Sequence, residues 1–194
     1  MASVAVFHSA LGVRPGLLEF AEKLRKAGHE VRVVDQYGGR VFDDYAEASA
    51  YVDEVGFPAL MANAIAGVAD FPDGFVVIGF SNGAGMAEFV AANREVSGVV
   101  MLGGALPLEQ IGIAWPIDVP AQIHTTADDP FREQDAIESV AKAVDEAGGG
   151  VEVFDYPGSG HLFADSSKPD EYQPADAELM LTRVKDFLGR ADRG

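Results

Sequence analysis

The serine at position 81 has the sequence context of a catalytic nucleophile. Residues 79–83 read Gly-Phe-Ser-Asn-Gly and fit G-x-S-x-G, the pattern of a serine presented on a sharp turn between a strand and a helix. The chain has 22 glycines, so the motif alone could be a chance match. The β-branched run before it and the helical pattern after it favour the catalytic interpretation. Ser81 is therefore the predicted nucleophile of an acyl transfer from an ester or thioester.

A serine hydroxyl needs a base to take its proton, and His161 is the predicted base among four histidines. It follows the last predicted strand, on a glycine-rich loop that can bend back over the sheet. His8 ends the first predicted strand and could touch substrate, although a structural role is the commoner one there. His124 lies inside a predicted strand and is expected in the core or behind the site, and His29 is expected to be solvated.

The base in turn needs a carboxylate that fixes its tautomer. Asp128 and Asp129 follow the fifth predicted strand, and either is placed to serve His161. The alternative is that both are helix N-terminal residues, favoured by the helix dipole. From position alone the two carboxylates remain equal candidates.

The negative charge that develops in acyl transfer needs two N–H donors. One should be the backbone of Asn82, directly after the nucleophile. The other should come from the loop after the first predicted strand, residues 8–12, where Ala10 is the better candidate. These two assignments rest on position only.

Short apolar runs alternate with helical patterns along the whole chain. The predicted strands cover residues 4–8, 31–35, 75–78, 97–102, 121–125 and 151–156. The predicted helices cover residues 15–27, 44–55, 58–69, 86–92, 132–147 and 174–190. This alternation predicts an α/β fold, one domain over residues 1–194 with a mostly parallel six-stranded sheet and helices on both faces. Ligands bind beyond the carboxyl ends of the strands in such sheets, where the candidates lie.

Composition narrows the class of protein. The formal charge of −17 argues against nucleic acid as a partner, because an acidic surface repels phosphate. The chain has no cysteine, which excludes a cysteine nucleophile and thiolate metal sites. The N-terminal residues lack a signal-peptide pattern, and no apolar run is long enough to span a bilayer. We expect a cytoplasmic protein, a monomer or weak homodimer, that needs no metal or organic cofactor.

With these residues in view, the chain resembles the dienelactone hydrolase family, small α/β-hydrolases without a lid. The resemblance runs nearly end to end, through residues 9–13, 79–84, 124–131 and 156–163, and the last segment is the most specific match. It implies an α/β-hydrolase fold with a Ser-Asp-His triad. In the family the acid lies five residues after the strand histidine and two before an aromatic residue, which selects Asp129, with Asp128 as the fallback.

The chain also departs from the family's pattern. The founding enzyme has a cysteine where this chain has Ser81, and a glutamate that contacts the resting thiol where this chain has Ser9. An arginine that binds the substrate carboxylate falls at Asp165 here. Because a carboxylate repels an anionic substrate, we expect a small neutral ester, lactone or thioester rather than a dienelactone.

Four apolar residues are candidates for the walls of an open site, each with a core position as the equal alternative. They are Phe42, Trp115, Leu162 and Phe163.

Two other functions compete with catalysis. The first is a non-catalytic ligand-binding protein on the same scaffold, since fold does not fix function. The retention of all three triad residue types favours the enzyme. The second is a flavodoxin-like or dinucleotide-binding domain, but the glycines at 83 and 85 lack the third glycine of G-x-G-x-x-G.

Overall fold

The computed structural model describes residues 1–191, which form six strands and seven helices. The strands are β1 (Ser3–Phe7), β2 (Glu30–Val34), β3 (Phe75–Phe80), β4 (Val96–Leu102), β5 (Ala121–Thr126) and β6 (Val151–Tyr156). The helices are α1 (Pro15–Lys26), α2 (Tyr45–Val55), α3 (Phe57–Gly67), α4 (Asn82–Asn93), α5 (Leu108–Ile111), α6 (Gln134–Glu146) and α7 (Pro174–Ala191).

The strands form one sheet in the order β2-β1-β3-β4-β5-β6, and every neighbouring pair is parallel. The α/β fold class and the six-stranded sheet are therefore confirmed. From β1 the chain first moves outward to β2 and then returns to β3 on the other side. The order thus reverses between β1 and β3, and parallel sheets bind ligands at the carboxyl side of such a point.

The core has two layers because helices cover both faces of the sheet. One layer joins the sheet to α2, α3, α4 and α6, and the other joins it to α1 and α7. All six residues of β3 are buried, with Val77 in the first layer and Val76 in the second. Such two-sided burial explains why β3 reads as a continuous apolar run rather than an alternating one.

Helix α4 is pressed closely against β1. A Cβ on Gly83 would lie 2.6 Å from the carbonyl oxygens of both Phe7 and His8, so this position admits only glycine. The close approach fixes the N-terminal turn of α4, which begins directly after Ser81.

The segment between β4 and β5, where no helix or strand was predicted, differs in one detail from that expectation. It contains the short helix α5, whose single turn is too brief to leave a periodic pattern. Within residues 1–191, no helix combines the length and the apolar composition that crossing a membrane requires.

Candidate active site

Ser81 occupies a strained turn at the carboxyl end of β3. Its φ of 52° and ψ of −116° lie outside the conformations that side-chain-bearing residues usually adopt. The turn is held by the Ser81 N–H, which donates to the Leu102 carbonyl at 2.6 Å. A Cβ on Gly79 would lie 2.0 Å from the Gly83 carbonyl oxygen, so the first motif glycine is needed for the turn to close. The turn directs the serine hydroxyl to the surface beyond the strand ends.

The imidazole of His161 bridges Ser81 and Asp129. Its Nε2 lies 2.7 Å from the Ser81 Oγ, and its Nδ1 lies 2.7 Å from the Asp129 Oδ2. With the ring proton on Nδ1, His161 donates to the carboxylate and accepts the serine proton. Both His161 and Asp129 are buried. The structure therefore brings the three predicted triad residues into one hydrogen-bonded chain.

The structure also separates the two aspartates that position alone left as equal candidates. Asp128 is exposed, while Asp129 is buried and its Oδ1 accepts the Phe131 N–H at 2.8 Å. That bond leaves Oδ2 free to face the histidine. Of the two carboxylates, only Asp129 hydrogen-bonds His161.

The loop that carries His161 is anchored at its glycines. The Thr126 hydroxyl donates to the Gly160 carbonyl at 3.0 Å, and the Gly160 N–H donates to the Gln173 side chain at 3.1 Å. A Cβ on Gly160 would lie 2.1 Å from the Glu171 carbonyl oxygen. These contacts fix the backbone immediately before the histidine.

Beside the triad lies an open cavity of about 290 Å³. Its lining comes from the first loop, from α2, from the β4–α5 segment, and from the segment before α6. The lining residues are Ala10, Tyr45, Ser49, Ser81, Asn82, Gly103, Gly104, Ala105, Leu106, Pro107, Gln110, Phe131, Glu133 and His161. Both predicted oxyanion donors, Ala10 and Asn82, are thus found beside the serine, with Asn82 at the N-terminus of α4. Tyr45 and Ser49 of α2 also border the site.

The profile of the dienelactone hydrolase family matches residues 1–191. The chain belongs to the dienelactone hydrolase family. It is therefore a hydrolase that acts on ester bonds. No curated protein matches the chain closely enough to count as a relative.

Solved structures share the fold of this hydrolase. A dienelactone hydrolase-like promiscuous phosphotriesterase from metagenomic libraries is 19% identical, with a TM-score of 0.82 over 98% of this chain and 87% of the other. The esterase PE8 is 17% identical, with a TM-score of 0.67 over 98% and 92% of the two chains. The mouse α/β hydrolase domain-containing protein 10 is 12% identical, with a TM-score of 0.69 over 97% and 90%. At these identities the likeness shows the α/β-hydrolase fold.

The prediction that Phe42 and Trp115 line the site was wrong. Phe42 is half-buried against the rings of Tyr37 and Tyr51. Trp115 is buried in the core, and its indole N–H donates to the Val119 carbonyl at 2.8 Å. The tryptophan therefore stabilises the β4–β5 connection from inside.

Leu162 and Phe163 are also absent from the cavity wall, although they directly follow the predicted base. Leu162 is buried in a small cluster with Leu11 and Ala48. Phe163 is buried in the second core layer, where its ring packs 4.9 Å from the ring of Tyr156. The loop turns into the protein after His161, so its next two side chains pack into the interior.

The aromatic residues that do border the site are Tyr45 and Phe131. The Phe131 ring lies 4.8 Å from the His161 ring and 5.1 Å from the Tyr45 ring, centroid to centroid. The Tyr45 hydroxyl donates to Glu171 at 3.0 Å, and burial together with this carboxylate raises the pKa of the phenol. In the sequence, Phe131 stood out only as the aromatic residue two positions after Asp129 in the family's pattern. Nothing in the sequence pointed to Tyr45.

Asp165, expected beside the substrate, lies elsewhere. It is buried, its Oδ2 lies 3.4 Å from the Arg14 Nε, and its Oδ1 accepts the Ser167 N–H at 2.9 Å. It is not among the cavity-lining residues, so its charge does not face a substrate there. Ser9, at the family's glutamate position, is also buried, and its Oγ accepts the Leu11 N–H at 3.2 Å.

The histidines at 8 and 124 have structural roles in this hydrolase. His8 is buried, donates to the Ser9 carbonyl at 2.7 Å through Nδ1 and accepts the Gln36 N–H at 3.0 Å, and its burial lowers its pKa. His124 lies in β5 between the Tyr156 hydroxyl and the Gln122 side chain, at 2.8 and 3.1 Å. Burial lowers the pKa of His124 to about 3, so its ring stays neutral.

No pattern in the sequence pointed to Glu88, a fully buried carboxyl group on α4. Its Oε1 accepts the Leu106 N–H at 3.1 Å, and its Oε2 has no hydrogen-bond partner among the described residues. Burial raises its pKa well above the usual range and so favours the neutral acid over the carboxylate. Because Leu106 lines the cavity, Glu88 fixes one wall of the site from behind.

Proposed function

We propose that this hydrolase cleaves small ester, lactone or thioester substrates through an acyl-enzyme on Ser81. The observation that carries the proposal is the continuous hydrogen-bonded chain from the Ser81 hydroxyl through His161 to Asp129, with both links at 2.7 Å. In such a chain the base is already within proton-transfer distance of the nucleophile.

In the first half of the reaction, the Ser81 oxygen attacks the substrate carbonyl while His161 Nε2 takes the serine proton. The carbonyl oxygen becomes an oxyanion, which the backbone N–H groups of Asn82 and Ala10 stabilise. Asp129 stabilises the imidazolium that forms. His161 then protonates the leaving alcohol or thiol, and the carbon–oxygen or carbon–sulfur bond breaks.

In the second half, His161 takes a proton from water, and the resulting hydroxide attacks the acyl carbon. The second tetrahedral oxyanion is stabilised by the same two N–H groups. Collapse of this intermediate returns the proton to the Ser81 oxygen and releases the carboxylic acid.

The cavity supports the proposed size of the substrate and argues against an anionic one. A volume of about 290 Å³ suits a short acyl or alcohol group. Among residues 1–191, no lysine or arginine lines this cavity. An anionic substrate such as a dienelactone would therefore meet no cation beside the serine.

A non-catalytic binding protein on the same scaffold is the alternative. Such a protein would not need its histidine held between a hydroxyl and a buried carboxylate. The strained backbone of Ser81 argues in the same direction, because strain of this kind is maintained where a side chain must be presented.

The deciding experiment is hydrolysis of p-nitrophenyl acetate by the wild type, Ser81→Ala and Ser97→Ala. Ser97 is a matched control, since its hydroxyl donates to the Gly74 carbonyl at the opposite end of the sheet. We expect Ser81→Ala to lower kcat by about a thousandfold or more, and Ser97→Ala to leave kcat unchanged. Equal rates for Ser81→Ala and the wild type would refute the proposed nucleophile.

A further inference from the structure

The wall of the cavity carries an unpaired carboxylate and an exposed aromatic ring. Glu133 and Phe131 both line the cavity, and both lie in the segment that joins Asp129 to α6. Phe131 is 52% exposed although it is large and apolar, and its ring lies 4.8 Å from the His161 ring. The catalytic base and these two side chains therefore border the same space.

Glu133 makes no side-chain contact that would give it a structural role among the described residues. It is the N-cap residue of α6, yet its side chain makes no capping hydrogen bond. Within residues 1–191, its carboxylate has neither a hydrogen bond nor a salt bridge. An exposed, unpaired carboxylate that lines a cavity is free to meet a charged group of a ligand.

The nearest cation in sequence is held away from the cavity. Arg132, between Phe131 and Glu133, donates to the Thr125 hydroxyl at 2.8 Å and to Asp155 at 2.7 Å. These partners lie on β5 and β6, outside the cavity lining. Phe131 and Glu133 therefore line the cavity, whereas the side chain of Arg132 between them in the sequence is bound to β5 and β6.

A second cation, Lys168, lies near the Tyr45 ring but is already paired with carboxylates. Lys168 Nζ lies 5.7 Å from the centroid of the Tyr45 ring and is paired with Asp170 at 2.8 Å and Glu171 at 3.7 Å. It is not among the cavity-lining residues. Glu133 therefore sets the charge of the cavity wall.

We propose that Glu133 and Phe131 form a subsite for a cationic group, so that the enzyme prefers esters or thioesters whose alcohol or acyl part carries an ammonium group. A carboxylate together with an aromatic face is the combination that recognises quaternary ammonium ions. The inference rests on the proposed hydrolase function and adds to it the charge of the substrate. The formal charge of −17 acts in the same direction, because an acidic surface concentrates cations.

The test uses two thioesters of the same shape and different charge, acetylthiocholine and S-(3,3-dimethylbutyl) thioacetate. The chain has no cysteine, so a thiol reagent reports only the released product. Because the charged thiol is intrinsically the better leaving group, the readout is the ratio of the two kcat/KM values, compared between variants.

The variants are Glu133→Gln, Phe131→Leu and Glu138→Gln, with thermal denaturation run on each. Glu138 is exposed on α6 about one turn further along, so Glu138→Gln removes the same charge away from the cavity. We expect the cation-to-neutral ratio to fall about threefold in Glu133→Gln and in Phe131→Leu, and to stay unchanged in Glu138→Gln. An unchanged ratio in either cavity variant, or an equal fall in Glu138→Gln, would overturn the subsite.

The two proposals fail in distinguishable ways. If Ser81→Ala hydrolyses these thioesters as fast as the wild type, the nucleophile assignment fails whatever the ratio. If Ser81→Ala is inactive and the ratio does not respond to Glu133→Gln, only the cation subsite fails.

If the wild type turns over neither thioester, the same variants are compared by inhibition of p-nitrophenyl acetate hydrolysis with choline and 3,3-dimethylbutan-1-ol. Equal inhibition by the two alcohols would also overturn the subsite.

Discussion

The two neighbouring aspartates show that a difference of one position along the chain decides which carboxylate can serve His161. Asp129 is buried against His161 at 2.7 Å, whereas Asp128 is exposed. Their side chains point to different sides of the segment after β5. A carboxylate must be desolvated and aimed at the ring nitrogen to hold the tautomer, and Asp129 has that environment.

We therefore expect Asp129→Asn to lower kcat for p-nitrophenyl acetate by about ten-thousandfold, because an amide favours the wrong histidine tautomer. Asp128→Asn should change kcat by less than about twofold, since an exposed charge beside the triad is screened by water. The measurement is steady-state kinetics of both variants on purified protein. A larger loss in Asp128→Asn would mean that the other carboxylate serves the base.

Glu88 gives a prediction about stability rather than rate. Its folded pKa is raised by burial, while in the unfolded chain it titrates near the ordinary glutamate value. Between those two values the unfolded state releases the proton and the folded state keeps it. The free energy of unfolding therefore decreases as pH rises through this window, by about 1.4 kcal/mol for each pH unit from this one group.

The Glu88→Gln variant keeps an acceptor for the Leu106 N–H and removes the titration. We expect its stability relative to the wild type to rise steadily as pH increases above the ordinary glutamate pKa. The measurement is urea denaturation at several pH values, with Glu138→Gln as the exposed control that should show no such trend. A constant difference between Glu88→Gln and the wild type over this range would show that Glu88 titrates normally.

At the scale of elements, the strand–turn–helix unit around Ser81 was recognisable in the sequence, although α4 begins at Asn82 rather than at the predicted residue 86. Its glycines have steric reasons that hold in any protein with this turn, so the motif could be interpreted without coordinates. Helix α1 was similarly predictable because Pro15 occupies its first position. The cavity wall was not predictable in this way. Tyr45 reaches the site only because α2 packs beside the histidine loop, and no local pattern encodes that contact.

The turn makes a prediction of its own. Gly79→Ala would put a Cβ 2.0 Å from the Gly83 carbonyl oxygen, a contact that neither backbone can relieve without opening the turn. We expect a loss of at least about 2 kcal/mol in the free energy of unfolding, together with loss of esterase activity. The measurement is chemical denaturation and p-nitrophenyl acetate hydrolysis of the purified variant.

The matched control for this turn is Gly189→Ala. Gly189 lies in α7, and among residues 1–191 a Cβ there has no neighbour within 4 Å. Because alanine favours a helix more than glycine, this variant should gain about 0.5–1 kcal/mol. If both variants change stability by similar amounts and in the same direction, the steric account of the motif is wrong.

At the scale of the whole molecule, the fold followed from the alternation of strand and helix patterns, because a parallel sheet needs a covering helix between successive strands. The order of the strands then decides which loops lie next to each other at the site. Reversal between β1 and β3 places the first loop and the nucleophile turn side by side. That is why Ala10 and Asn82, 72 positions apart in the sequence, line one cavity.

The net charge of −17 also predicts a property of the whole molecule. Like charges repel one another more strongly in the compact state than in the expanded unfolded chain, and salt screens this repulsion. We expect Tm at pH 7 to rise by about 2–4 °C between 0.01 and 0.3 M potassium chloride, corresponding to roughly 1 kcal/mol. At pH 4.5, near the sequence pI of about 4.4, the same salt change should have little effect, because the net charge is then close to zero. A Tm that falls with salt at pH 7 would show that attractive ion pairs, such as Arg132 with Asp155, outweigh the overall repulsion.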